Sequence, residues 1–205
     1  MTSTAHASAH PSDAFGARLG MWLFLVTEIL LFGGLFIAYS YMRARYPHEF
    51  HAGGKELNVF LGVLNTAVLL TSSLTMALAV ARVRRGDGRA AAALTGATVL
   101  LGLCFLAIKA VEWSQKIGHG LYPGGPALLS LPLGERVFFG LYFTMTGLHG
   151  LHVLAGVSVL SVMGVLLLRG KSGTARPAVL ENGGLYWHLV DVVWIYLLPL
   201  FYLAA

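Results

Sequence analysis

Seven polar side chains stand out in this 205-residue sequence because they interrupt stretches that are otherwise apolar: Glu28, Asn65, Glu112, His149, His152, His188 and Asp191. His149 and His152 lie three residues apart in GLHGLHVLAG, a spacing that puts two imidazoles on one helix face. It is also a metal-ligand spacing, to which His188 could add a third nitrogen. No stretch, however, offers the several carboxylates and further histidine pairs that a di-metal carboxylate centre requires. Imidazoles bonding across helix contacts, with Gly147, Gly150 and Gly156 allowing close approach, fit the pattern better.

Lys109 with Glu112, and His188 with Asp191, repeat the three-residue spacing and read as charge pairs within or between helices. Lys109 stands near a helix end, where a long side chain can reach outward to water. Asp191 lies deeper and is expected to bond to His188 or to a serine or threonine of another helix. Participation of these pairs in a proton path is the second reading. Glu28 falls mid-way along its apolar stretch. It is either a proton-linked or partner-facing carboxyl, or a protonated acid bonded to a neighbouring helix. There is no Walker loop, no dinucleotide fingerprint, no CxxCH haem-attachment sequence and no nucleophile–base pair.

The elements that must hold these groups are membrane spans. Of the residues, 57% are hydrophobic and only 11% charged, well under the ~25% usual for soluble domains. Five stretches approach or exceed the ~20 apolar residues that cross a bilayer: Leu19–Tyr41, Leu57–Ala81, Ala90–Trp113, Val137–Leu168 and Leu185–Leu203. A charged side chain at membrane depth costs roughly 3 kcal/mol on insertion scales, so each polar group above needs a partner. The predicted architecture is an all-α bundle of five transmembrane helices over residues 18–205, behind a flexible tail, residues 1–17, that carries His6 and His10. That tail lacks the basic start and short apolar core of a cleavable signal peptide.

Asn65, Thr66, Thr71, Ser72, Ser73 and Thr75 lie within the second span, where they can bond across helices or back to their own carbonyls. Gly33-Gly34 in the first span offers a small surface for another helix. Residues 42–56 form a polar loop with Pro47 and Gly53-Gly54 as breakers, and residues 114–135 a Gly- and Pro-rich irregular surface loop. Cys104 reads as a buried, inert thiol. Tyr39, Tyr41, Tyr122, Tyr186 and Tyr202 suit the interfacial ends of spans.

The net charge of +5 does not point to nucleic acid, because the basic residues sit in short loops where they act as topology signals. Arg18, Arg82, Arg84, Arg85, Arg89, Arg169, Lys171 and Arg176 share one side. Arg43, Arg45, Lys55, Lys116 and Arg136 share the other with Glu49, Glu56 and Glu135. The asymmetry predicts a cytoplasmic N-terminus and a C-terminus outside.

Read in order, LGMWLFLVTEILLFGGLF, VLNTAVLLTSS, EW at Glu112-Trp113, GLHGLHVLAG and YWHLVDVVWIYL resemble the signatures of subunit III of the haem–copper terminal oxidases, from Arg18 to Tyr202. The last two motifs together are the specific ones. The resemblance implies an auxiliary respiratory-chain subunit of the bacterial inner membrane that binds no haem or copper itself. It would pack on catalytic subunit I, with subunit II in the same complex, hold structural phospholipid and sustain proton-coupled reduction of dioxygen to water. By position, Glu28 resembles the family's intramembrane carboxyl facing subunit I, and Glu112, His149, His152, His188 and Asp191 its internal polar set. The chain lacks the first two helices of the seven-helix form. That matches the shorter form of quinol oxidases, of some bacterial cytochrome c oxidases and of a relative linked to nitric oxide reductase. Two other classes compete: a metal-dependent membrane enzyme built on His149, His152 and His188 with Glu112, and a proton-coupled transporter using Glu28, Asp191 and Lys109. Against the transporter, no span is visibly broken at mid-membrane.

Overall fold

A computed structural model describes residues 11–169 and 177–203, and among these the chain forms helices and no strand. In chain order they are α1 (Pro11–Arg45), α2 (Pro47–Lys55), α3 (Val59–Arg84), α4 (Gly88–Gly118), α5 (Pro126–Ser130), α6 (Leu133–Leu168) and α7 (Pro177–Leu198). A π-helical turn, Pro199–Leu203, follows α7 directly. Five of the helices are long and apolar enough to cross a membrane: α1 from Arg18, α3, α4, α6, and α7 with its π turn. Their outer faces expose large apolar side chains such as Leu30, Ile37, Phe60 and Leu100, as lipid-facing surfaces do.

Local chemistry sets the boundaries. Asn58 and Asp87 cap α3 and α4, their side-chain oxygens accepting from the amides of Leu61 (3.2 Å) and Ala90 (3.0 Å). Gly86, at φ +79, makes the tight turn between those two helices. Pro199 has no N–H to offer the carbonyl one turn back, and there the helix widens into its π turn.

The bundle core lies where α3, α4, α6 and α7 meet. Trp187 of α7 is fully buried there and donates its indole N–H to Ser72 of α3 at 3.0 Å. It rests against Gly102 of α4 and Gly156 of α6, where an added Cβ would come within 2.7 and 2.8 Å of the indole. Trp194, two turns further along α7, donates to Thr66 and meets Phe105 edge to face. The second-span hydroxyls do both things open to them. Thr66 and Thr71 bond back to Gly62 and Ala67, while Thr75 meets Thr98 of α4 at 2.8 Å.

Several expectations are corrected. Helix α1 begins at Pro11 and so takes in residues 11–17 of the expected tail; His6 and His10 lie outside the described residues, as do Lys171 and Arg176. The loop at residues 42–56 folds as α2, started by Pro47 and bedded on Phe138 through Phe50 and Gly53. The second loop keeps its irregular turn near residues 119–125 but is helical on both sides of it and in α5. Cys104 is exposed rather than buried, on an outer face where an uncharged thiol needs no partner. Gly33 and Gly34 touch no other helix of this chain, an added Cβ at either finding nothing within 4 Å, so the small surface they offer stays open. Tyr39 and Tyr202 are core residues rather than interfacial ones, because each hydroxyl finds a partner inside the bundle.

Candidate functional site

The seven candidate residues sort into three sites and two isolated side chains. In the first, Lys109 and Glu112 of α4 form the expected pair, 3.1 Å apart, but Lys109 does not reach outward to water. Lys109 is 5% exposed, and its ammonium spends its three N–H groups on Glu112 Oε2, the Tyr142 hydroxyl (2.9 Å) and the Tyr202 hydroxyl (2.7 Å). Both hydroxyls donate in turn to Glu112 Oε1, at 2.8 and 2.6 Å. The rings of Tyr142, Trp194 and Tyr202 face the ammonium at 4.6–5.3 Å, adding cation–π attraction. Every donor of the lysine and both oxygens of the carboxylate are engaged, the condition under which a buried ion pair is tolerated. The π turn delivers Tyr202. Tyr142 lies seven residues before His149 on the same α6 stripe, a periodic signal from which sequence reasoning could have drawn it.

The second site joins α1 to α6. Glu28 Oε2 lies 2.9 Å from His152 Nε2, and His152 Nδ1 lies 2.8 Å from the Leu148 carbonyl. A carbonyl only accepts, so Nδ1 carries a proton, and the Glu28–His152 contact therefore holds one proton on either the carboxyl or the imidazole. This is the partner that Glu28 needed. Arg18 to Glu181 (3.8 Å) and the Tyr39 hydroxyl to the Leu200 carbonyl hold α1 to α7 on either side of that pair. Between these three polar struts α1 stands off the bundle. One groove of about 410 Å³ is lined by Met21, Phe24, Val159, Met163 and Tyr186; another of about 360 Å³ by Ile29, Phe32, Phe36, Val193 and Tyr196.

The third site lies between α3 and α7. His188 Nδ1 meets the Ser73 hydroxyl at 2.7 Å. The expected His188–Asp191 bond is not made, because the imidazole turns to α3 instead. Asp191 is 3% exposed, and neither of its oxygens has a hydrogen-bond partner at bonding distance, although Ser73 lies beside it. Asn65 and His149 are likewise fully buried without a partner for any side-chain nitrogen or oxygen. His149 is held by rings instead, Phe105 at 5.5 Å and Trp194 at 5.3 Å, so it does not bond across the interface as the glycine pattern suggested.

The three histidines of the metal reading thus go separate ways: His149 to aromatic rings, His152 to Glu28 and His188 to Ser73. Among the described residues no three His, Cys, Asp or Glu side chains come together as a metal-binding group.

Comparison with known proteins gives these sites a context. A family model described as cytochrome c oxidase subunit III matches residues 1–205. A cytochrome c oxidase subunit 3 from Thermostichus vulcanus is 31% identical over 203 residues, covering 98% of this chain and 92% of the relative. A cytochrome bo(3) ubiquinol oxidase subunit 3 from Pseudomonas aeruginosa is 32% identical over 205 residues, covering 98% and 91%. A heme-copper oxidase subunit I+III from Aeropyrum pernix is 29% identical over 194 residues, covering 91% of this chain and 22% of the longer protein.

Proposed function

The chain belongs to the cytochrome c oxidase subunit III family, and from that footing we propose that it is a cofactor-free, non-catalytic subunit of a respiratory oxidase, packed on the subunit that reduces dioxygen. It is a multi-pass membrane protein and a subunit III of the haem–copper type. Haem and copper belong, in this reading, to subunits I and II. The observation that carries it is where the bonded polar side chains end: the buried ion pair and two of the three span histidines are bonded to residues of this same chain. The relative whose name joins subunits I and III in one chain supports subunit I as the neighbour.

Within that assembly the two grooves beside α1 suit phospholipid acyl chains, being almost wholly apolar and open to the side. The Glu28–His152 pair at their junction would steady α1 and support proton uptake by the catalytic subunit, which sustains turnover. The arginine-rich ends of α3 and α4, with Arg18, face the cytoplasm, and the C-terminus lies outside a bacterial inner membrane. Residues 18–205 act as one membrane unit behind the segment 1–17.

The test is affinity purification of the tagged chain in mild detergent from its own membranes. The expected result is a co-purified polypeptide with a haem difference spectrum and no stoichiometric metal on the tagged chain once separated. Recovery of the chain always without haem would overturn the reading.

A further inference from the structure

One groove and one carboxyl are not absorbed by this role. Between α3 and α7 a cleft of about 290 Å³ is lined by Ala77, Val80, Arg84, Glu181, Gly184, Leu185 and His188. Its outer end is closed by charge: Glu181 accepts from Arg84 Nε at 2.9 Å and faces Arg18 at 3.8 Å, and both arginines are largely exposed. His188, seven residues beyond Glu181, lies two turns deeper, roughly 10 Å along the helix. Gly184 stands between them and keeps that face low, since an added Cβ would press on Val80 at 3.3 Å. Beyond His188 come the Ser73 hydroxyl and then Asp191, whose two oxygens are buried and unbonded. Glu181, His188 and Asp191 thus share one face of α7, spaced i, i+7 and i+10.

We propose that this line is a one-sided proton-exchange site, in which Asp191 takes up and returns a proton through Ser73 and His188 from the water at the Arg84–Glu181 end. The hop balances atom by atom. A proton from water binds His188 Nε2 while the Nδ1 proton passes to the Ser73 oxygen; the Ser73 side chain, which lies beside Asp191 without bonding it at rest, then turns and gives its own proton to an Asp191 oxygen. Return runs the same steps backwards and restores the first tautomer. The charged and titratable groups around the line are Arg84 from α3, Glu181 from α7 and Arg18 from α1. No charged side chain of α4 enters the cleft lining. The line stops at Asp191, because Trp187 and Trp194 fill the next turn on either side and spend their N–H groups on Ser72 and Thr66. It therefore exchanges protons with one side and is not a path across the bilayer. This goes beyond the subunit role above and does not depend on which protein covers α1.

The experiment is infrared spectroscopy of the intact purified complex moved from H₂O to D₂O. Asp191→Asn identifies the Asp191 carboxyl band, sought from mildly acid to mildly alkaline pH. Expected are rapid deuteration of that band in the natural protein and ~100-fold slower deuteration in His188→Phe and Ser73→Ala, the usual scale for losing one positioned proton-transfer group. Ser73→Thr, which keeps the hydroxyl, should restore the rate, and it keeps the test sound if His188→Phe assembles poorly. The proposal is overturned by an Asp191 band that never appears, that does not exchange, or that exchanges equally fast without Ser73. Failure of haem to co-purify would bear on the subunit role and leave this result standing.

Discussion

Replacing Glu112 by leucine probes the ion pair that closes the bundle core. The change removes the acceptor of all three donors, leaving the Lys109 ammonium with two tyrosyl oxygens and no counter-charge at 5% exposure. Stranding a buried charge in this way costs roughly 3–5 kcal/mol. Lys109→Met should cost less, because Tyr142 and Tyr202 still donate to the carboxylate that remains. The double variant leaves no buried charge, only two hydroxyls close enough to bond to one another, so its loss should fall ~2 kcal/mol or more below the sum of the single losses. Thermal unfolding of the purified complex, followed by tryptophan fluorescence, reads all three, since the Trp194 ring lies 5.3 Å from the ammonium. Natural stability in Glu112→Leu, or strict additivity in the double variant, would refute the closed network.

Three further outcomes follow from the same geometry. Glu28→Gln should leave assembly intact, because the amide can donate to His152 Nε2, whereas Glu28→Leu strands that nitrogen at a cost of ~1–3 kcal/mol; urea titration distinguishes them, and any functional effect should appear as less durable turnover. Gly156→Ala should destabilise by ~1–3 kcal/mol by pressing on Trp187, while Gly140→Ala, whose added Cβ meets nothing, should not, as paired melting curves would show. Asp191→Leu should keep its thermal midpoint, contrary to the loss of ~1–3 kcal/mol that a bonded carboxyl would entail, because no hydrogen bond is broken. A large drop in that midpoint would show that Asp191 has a partner after all.

Hydropathy and charge placement make the five spans legible, because lipid contact demands apolar length whatever the tertiary arrangement. The list of polar interruptions was legible for the same reason, since each is costly enough to need an answer. Which partner answers was not, because that depends on helix rotation and register. Lys109 and Glu112 pair as their spacing suggests, yet Tyr202, 93 residues away, completes their bonding only after Pro199 widens the helix. His188 and Asp191 have the same spacing and do not pair, because Ser73 captures the imidazole. Cys104 could not be placed because an uncharged thiol is content on either side of a membrane helix. Helix α2 was hidden by its glycine pair, of which Gly53 serves packing on Phe138 of α6 rather than a turn.

Trp187 has a consequence for how the molecule is made. Its seat is prepared by Ser72, Gly102 and Gly156 on three helices that the ribosome releases earlier, and Tyr202 reaches the ion pair later still. Until α7 inserts, the nascent bundle contains a notch with bare hydroxyls and a lysine–glutamate pair short of one donor. Translation of the seventh helix is then the step that turns a loose set of rods into a solid.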